Sequence, residues 1–181
     1  MGAMAAYCPA CAEDIAPVPE PSGRASCPKC GLVLVQEPAS APDLFNTVLV
    51  GEDSKLMREL LKDGLVAEGL ATHVYGAEDG QAFIELYSDH LFRDRPVELV
   101  ILDLEMPVLG GAPTAVAMRG MERGCAARSP VIIFFTGHPL TDDLRRLMKL
   151  CKPAHYLNKG ADASPPRIIK RLREVMRALK M

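Results

Sequence analysis

The 181-residue sequence has no apolar run approaching the roughly 20 residues that a membrane-spanning helix needs. Its first residues lack the basic-then-apolar pattern of an export signal. The expected compartment is therefore the cytoplasm, where cysteines are usually free thiols or metal ligands rather than disulfides. Net charge is small, −2 at neutral pH, so no overall basic field points to nucleic acid. Internal repeats and low-complexity tracts are also missing.

What is present fits a soluble globular chain, at 49% hydrophobic and 24% charged residues. The length suits one full domain plus a small module. The charge is unevenly placed. Residues 142–181 carry eleven Lys/Arg against four Asp/Glu, a surplus of +7 that leaves −9 on the rest. Such asymmetry bears on partners rather than on fold.

Composition divides the chain in three. Four of the six cysteines fall within the first 30 residues, in a segment spanning 1–36. Residues 37–44, beginning Glu37-Pro38-Ala39-Ser40-Ala41-Pro42-Asp43, read as an extended linker. From 45 to 181, apolar strands alternate with amphipathic helices.

In that last part Val48-Leu49-Val50, 72–75, Leu99-Val100-Ile101-Leu102, 131–135 and 155–158 read as strands. The continuous apolar runs at 99–102 and 131–135 are those of strands covered on both faces. Helices are expected from about Ser54, over about 77–89, from near Pro113, over about 142–150 and from about Pro165. On the first of these, Leu56, Met57, Leu60 and Leu61 are expected to share the inner face. The final helix has an apolar stripe of Ile168, Ile169, Leu172, Val175, Met176 and Leu179, and a basic face of Arg167, Lys170, Arg171, Arg173 and Arg177. Five alternations predict an α/β fold with a parallel sheet covered on both sides and right-handed connections.

Ligands of such sheets gather at the carboxyl ends of the strands. There the sequence places Glu52 and Asp53, Asp103, Thr136 and Lys159. Three crowded carboxylates repel one another and resist losing water, a conflict that a hard divalent cation such as Mg²⁺ relieves. A site with these groups suits phosphoryl transfer, with Asp103 as the carboxylate nucleophile, Lys159 as a fixed positive charge and Thr136 as a hydrogen-bond donor. Taken singly, each has a plainer reading: a helix cap at Asp53, a loop hydroxyl at Thr136, a surface lysine at Lys159.

Val48-Leu49-Val50-Gly51-Glu52-Asp53-Ser54, Leu102-Asp103-Leu104-Glu105-Met106-Pro107-Val108-Leu109-Gly110-Gly111, Phe135-Thr136-Gly137-His138 and Tyr156-Leu157-Asn158-Lys159 resemble the receiver domain of two-component response regulators. The resemblance implies a flavodoxin-like sheet of order 2-1-3-4-5. It implies Mg²⁺ held by Glu52, Asp53, Asp103 and the backbone carbonyl of Glu105, with Asp103 as phosphoacceptor. It also implies Thr136 and Tyr156 as a switch pair, Thr136 turning toward an arriving phosphoryl group and Tyr156 moving inward, as a population shift. Three departures stand out. Gly160 follows Lys159 where the family commonly has proline, so a flexible connection replaces a stiff one. Gly51 stands where a bulkier apolar residue is usual. Glu105 and His138 occupy variable positions beside the phosphate: the acid is placed to pair with Lys159 or to block the donor, while His138 has the alternative of a solvent-exposed loop residue. A flavodoxin would need a phosphate-cradling loop after its first strand, and a haloacid-dehalogenase phosphatase a second aspartate where Glu105 stands.

Cys8-Pro9-Ala10-Cys11 and Cys27-Pro28-Lys29-Cys30 are two C-x-x-C pairs separated by fifteen residues, the spacing of a structural Zn²⁺ site. The segment resembles a zinc ribbon, with Leu32-Val33-Leu34-Val35 as a strand leaving the second pair. Disulfides or redox thiols are the alternative. Through Asp43 the module carries five Asp/Glu against two Lys/Arg, which fits poorly on a phosphate backbone and favours protein contact. Opposite charge alone suggests that it docks on the basic final helix. Cys125 and Cys151 show no ligand spacing.

The leading expectation is a phosphorelay response regulator, a signalling protein rather than an enzyme, which assists its own phosphorylation and dephosphorylation. Its partners would be a histidine kinase or phosphotransfer protein and a downstream protein met through the 142–181 face or the ribbon. The alternatives are a pseudo-receiver scaffold insensitive to phosphorylation and a nucleic-acid-binding regulator acting through the ribbon.

Overall fold

Strand β8 (Leu99–Leu102) is fully buried along its whole length, which is why it carries no polar residue. It lies at the centre of a five-stranded parallel sheet with β6 (Phe45–Gly51), β7 (Ala71–Ala77), β9 (Val131–Thr136) and β10 (Ala154–Asn158). The spatial order β7-β6-β8-β9-β10 is the expected 2-1-3-4-5. Before the sheet come β1 (Ala6–Cys8), β2 (Glu13–Ile15), β3 (Val18–Pro19), β4 (Ala25–Ser26) and β5 (Val33–Leu34), paired antiparallel as a hairpin and a small three-stranded sheet. The computed structural model describes residues 5–21, 24–34, 45–93, 95–160 and 164–180. The segment read as a linker, 37–44, lies outside them.

Four helices connect the parallel strands, α1 (Lys55–Ala67), α2 (Gly80–Phe92), α3 (Gly111–Cys125) and α4 (Asp142–Leu150), and α5 (Pro165–Lys180) follows the last. Three begin where a side chain accepts from an otherwise orphaned amide: Ser54 from Met57 N, Asp79 from Ala82 N and Thr141 from Leu144 N. Asp142 and Asp143 add negative charge to the first turn of α4. Among the described residues no helix is long and apolar enough to cross a membrane.

Side chains alternate across the sheet and feed two cores. Val48, Val50, Ile101, Ile133 and Phe135 meet α1 and α5 on one face. Leu49, Val100, Leu102, Ile132 and Phe134 meet α2, α3 and α4 on the other. The buried Cys8, Ala10, Ile15, Cys27 and Leu32 of the N-terminal module join the first core, so strands of two or three residues gain an interior they could not build alone.

Two expectations are corrected. Leu56 is 80% exposed; Leu61 is buried and Met57 and Leu60 pack partly buried against the first core as expected, and Leu65 completes the inner face of α1. Arg171, read as part of the basic face of the final helix opposite its apolar stripe, is only 7% exposed. Gly51 has a packing reason: a Cβ there would lie 2.6 Å from Leu102 Cδ1, space already taken by the second core.

Candidate functional site

β6 and β8 run side by side, and Asp103 N donates to Gly51 O at 2.8 Å. That register brings Asp103 beside Glu52 and Asp53. One carboxylate oxygen from each of the three lies within 4.8 Å of the others. Glu52 and Asp103 are buried, at 1% and 4% exposure, while Asp53 faces solvent. Lys159, at the end of β10, places Nζ 2.6 Å from Asp103 Oδ2 and 2.9 Å from Glu52 Oε2. Burial pushes the Glu52 carboxyl above its ordinary range, with Lys159 pulling the other way. Burial alone would lower the Lys159 pKa, but Asp103 and Glu52 outweigh it and hold the ammonium above its usual range.

Three acids face one amine, and the Lys159 ammonium lies within reach of both Asp103 and Glu52, so one positive charge is set against three carboxylates. The surplus of negative charge among carboxylate oxygens lying within 4.8 Å of one another suits a hard, oxygen-seeking cation. The loop after Asp103 is held close. A Cβ on Gly111 would fall 1.9 Å from Asp103 O, so only glycine lets α3 begin against that backbone. Asp103 Oδ1 accepts from Glu105 N at 3.3 Å.

Around the acids, Thr136 is fully buried and its Oγ1 accepts from His138 N at 3.2 Å. Tyr156 is also buried and donates its hydroxyl to His138 O at 2.7 Å. Glu105 pairs with neither Lys159 nor Asp103; its carboxylate lies 2.7 Å from His138 Nε2, and both side chains are exposed. The sequence reading missed two residues here. Asn158 donates to both His138 O (2.8 Å) and Tyr156 Oη (2.7 Å), tying the pair together. Arg58 donates to Glu52 O at 2.6 Å and Asp53 O at 3.2 Å, fixing the acidic turn from below. A cation one turn into the helix after an acidic pair is the signal that marks it.

Residues 48–173 match the model of the response regulator receiver domain. The chain belongs to this family. A probable transcriptional regulatory protein NarL of Mycobacterium tuberculosis is 37% identical over 75 residues, covering 41% of this chain and 32% of that protein. Hybrid signal transduction histidine kinase I of Dictyostelium discoideum is 26% identical over 102 residues, 56% of this chain and 6% of the kinase. The chain thus spans a third or less of the length of these curated relatives. Among solved structures, the signal receiver domain of NarL from M. tuberculosis matches at a TM-score of 0.56 and 26% identity, over 74% of this chain and 97% of that one. The receiver domain of the histidine kinase CKI1 from Arabidopsis thaliana, complexed with Mg²⁺ and BeF₃⁻, matches in fold at a TM-score of 0.62 and 21% identity, over 75% and 89%.

The receiver carries its cysteine module on the β10–α5 side. Cys8, Cys11, Cys27 and Cys30 bring their sulfurs within 4.8 Å of one another. Cys8 Sγ lies 3.7 Å from Cys30 Sγ, and Cys11 Sγ 3.9 Å from Cys27 Sγ. Four sulfurs about 2.3 Å from a tetrahedral Zn²⁺ would stand about 3.8 Å apart. A disulfide needs a far shorter separation, about 2.05 Å. Thiol donors from Cys11 and Cys30 pull the Cys8 pKa down, while contacts with Cys30 and Cys8 push Cys11 up. The donor set, closed geometry and burial fit a structural Zn²⁺ site. Docking on the receiver follows the expectation in place but not in kind: Arg171 reaches backbone carbonyls of the first knuckle, and Arg173 pairs with Glu68 of the receiver itself. Cys125 is exposed and Cys151 buried, each apart from the cluster.

Proposed function

We propose that the chain is a phosphorelay response regulator in which Asp103 accepts a phosphoryl group from a histidine kinase or phosphotransfer protein. The observation that carries this reading is the convergence of Glu52, Asp53 and Asp103 with the Lys159 ammonium 2.6 Å from Asp103. Asp53, Asp103 and the Glu105 carbonyl would hold Mg²⁺, with Glu52 adding charge from beneath. When bound, Mg²⁺ supplies charge neutralisation for the phosphoryl oxygens. An Asp103 oxygen attacks phosphorus, forming the P–O bond of an acyl phosphate as the P–N bond to the donor imidazole breaks. Lys159 steadies the oxygens of the transferring group. Thr136 releases His138 N to turn its hydroxyl toward the phosphoryl group, and the Tyr156–Asn158–His138 network carries that change to β10 and the surface. The output is a changed protein-binding surface formed by residues 142–181, the ribbon, or both. The ribbon's acidic balance argues against a nucleic-acid role.

Titration with beryllofluoride and Mg²⁺, followed by amide NMR, tests the reading. Saturable shifts at Asp103, Thr136 and Lys159 that disappear in Asp103→Ala support it. Their absence in the wild-type chain leaves a scaffold without a phosphoryl switch.

A further inference from the structure

The turn after Lys159 has no stiffness of its own. Gly160 stands at φ 78°, a left-handed conformation that proline cannot take. Yet Lys159 must present its ammonium to Asp103 within ordinary hydrogen-bond distance. The support comes from outside the strand. Arg171 of α5, nearly buried, donates Nε to Pro9 O at 2.7 Å and a terminal nitrogen to Asn158 O at 2.6 Å. Longer contacts of 3.4 Å reach Ala10 O and Lys159 O. Ala10 O also accepts from Asn158 N at 2.8 Å, so the first cysteine knuckle covers the free edge of β10. On the inner side Lys159 N donates to Thr136 O at 2.7 Å. Gly160 N closes on Asn158 Oδ1 at 2.6 Å, and a Cβ at Gly160 would come within 3.1 Å of the Arg171 guanidinium. A planar fork that engages carbonyls from two segments at once fixes their separation in a way an ammonium on a flexible stem does not.

We propose that Arg171 is a positioning residue for Lys159: with the Pro9–Ala10 knuckle it clamps the Asn158–Gly160 turn, so that the cysteine module takes over the stiffening that a proline would give and couples its own integrity to phosphoryl capture at Asp103. This rests on the reading of Asp103 as phosphoacceptor. The module is then part of the phosphoryl-binding machinery, acting through the backbone of β10 rather than by touching the acids.

The test uses the full chain and compares wild type, Arg171→Met, Lys159→Met and the double variant. Amide hydrogen exchange at Asn158 and Lys159 reads the clamp directly, with no ligand present. Mg²⁺ affinity and beryllofluoride affinity are then measured separately. Small misplacement of a charged group costs on the order of tenfold to a hundredfold, so Arg171→Met should speed exchange at both amides and weaken beryllofluoride binding about tenfold. Mg²⁺ affinity should not fall, because Lys159 supplies no metal ligand and its ammonium, bonded to Asp103 and Glu52, only competes with the ion. On the Lys159→Met background Arg171→Met should add nothing, since the lysine through which it acts is gone. Unchanged exchange, or an equal loss on both backgrounds, would overturn the proposal. A wild-type chain that takes up no beryllofluoride would instead sink the phosphoacceptor reading, and the exchange measurement would still decide whether Arg171 holds the turn. Should Arg171→Met fail to fold, Arg171→Lys keeps the charge with fewer donors and should give intermediate exchange and affinity; wild-type values for both would overturn the clamp.

Discussion

Replacing Arg119 by methionine should destabilise the receiver more than any single surface change. Arg119 is 3% exposed and Glu122, one turn further along α3, is 1% exposed. One Arg119 terminal nitrogen donates to both Glu122 oxygens, at 2.7 and 2.8 Å. The remaining donors reach Cys151 O at 2.9 Å, Pro130 O at 2.7 Å and Pro153 O at 3.1 Å, so α3 is tied to the segments entering β9 and β10. In the variant, Glu122 keeps the hydroxyls of Tyr87 and Ser129 but loses its cation. An uncompensated buried charge costs about 3–5 kcal/mol. At roughly 2–4 °C per kcal/mol for a domain of this size, the melting temperature should fall by about 10 °C. Urea melts of wild type, Arg119→Met, Glu122→Leu and the double variant measure the coupling. The double variant should recover much of the loss, because a pair replaced by apolar groups leaves no stranded charge. A loss below about 1 kcal/mol in Arg119→Met, or strict additivity in the double variant, would refute the reasoning.

Chelation should open the cysteine module while the receiver stays folded. Before chelation a thiol reagent should reach only the exposed Cys125; afterwards five of the six cysteines should react, with the buried Cys151 protected until unfolding. Equal reactivity of all the ribbon thiols without chelator would count against a bound metal. His155 gives a pH dependence: burial lowers its pKa below the ordinary 6.5, so the unfolded chain takes up the proton first. The stability present above pH 6.5 should then be lost as pH falls through the folded-state pKa, and His155→Gln should flatten urea midpoints across that window. A wild-type profile already flat below pH 6.5 would remove the argument.

The parts of the fold legible in the sequence are those where burial writes itself into residue type. β8 and β9 have both faces covered, so Leu99–Leu102 and Val131–Phe135 are unmistakable. β7 is an edge strand whose Thr72, His73, Tyr75 and Gly76 face solvent, and the pattern captured only part of it. The start of α2 reads three residues early, at Ala77, because that alanine belongs to β7 and Asp79 is the cap. Leu56 was placed inside because a leucine at helical spacing looks like core, though nothing forbids an exposed one. The acids and the lysine were legible because topology sends every strand end to one edge.

What stayed hidden depends on backbone atoms. Asn158 acts through a loop carbonyl at His138 whose position only the folded turn defines. Arg171 reads as one of five cations on an amphipathic helix, and nothing local distinguishes it from Arg173 or Arg177. Its burial is decided by carbonyl oxygens of Pro9 and Ala10, more than 160 positions away. Every residue offers such a carbonyl, so the partner leaves no signature in composition or spacing. Gly160 therefore looks like a weakness when judged against its neighbours. Its conformation becomes intelligible only beside the guanidinium that fills the space a side chain would take. A glycine where proline is usual is evidence about the whole contact environment of the turn, and testing it requires changing Arg171 rather than the glycine.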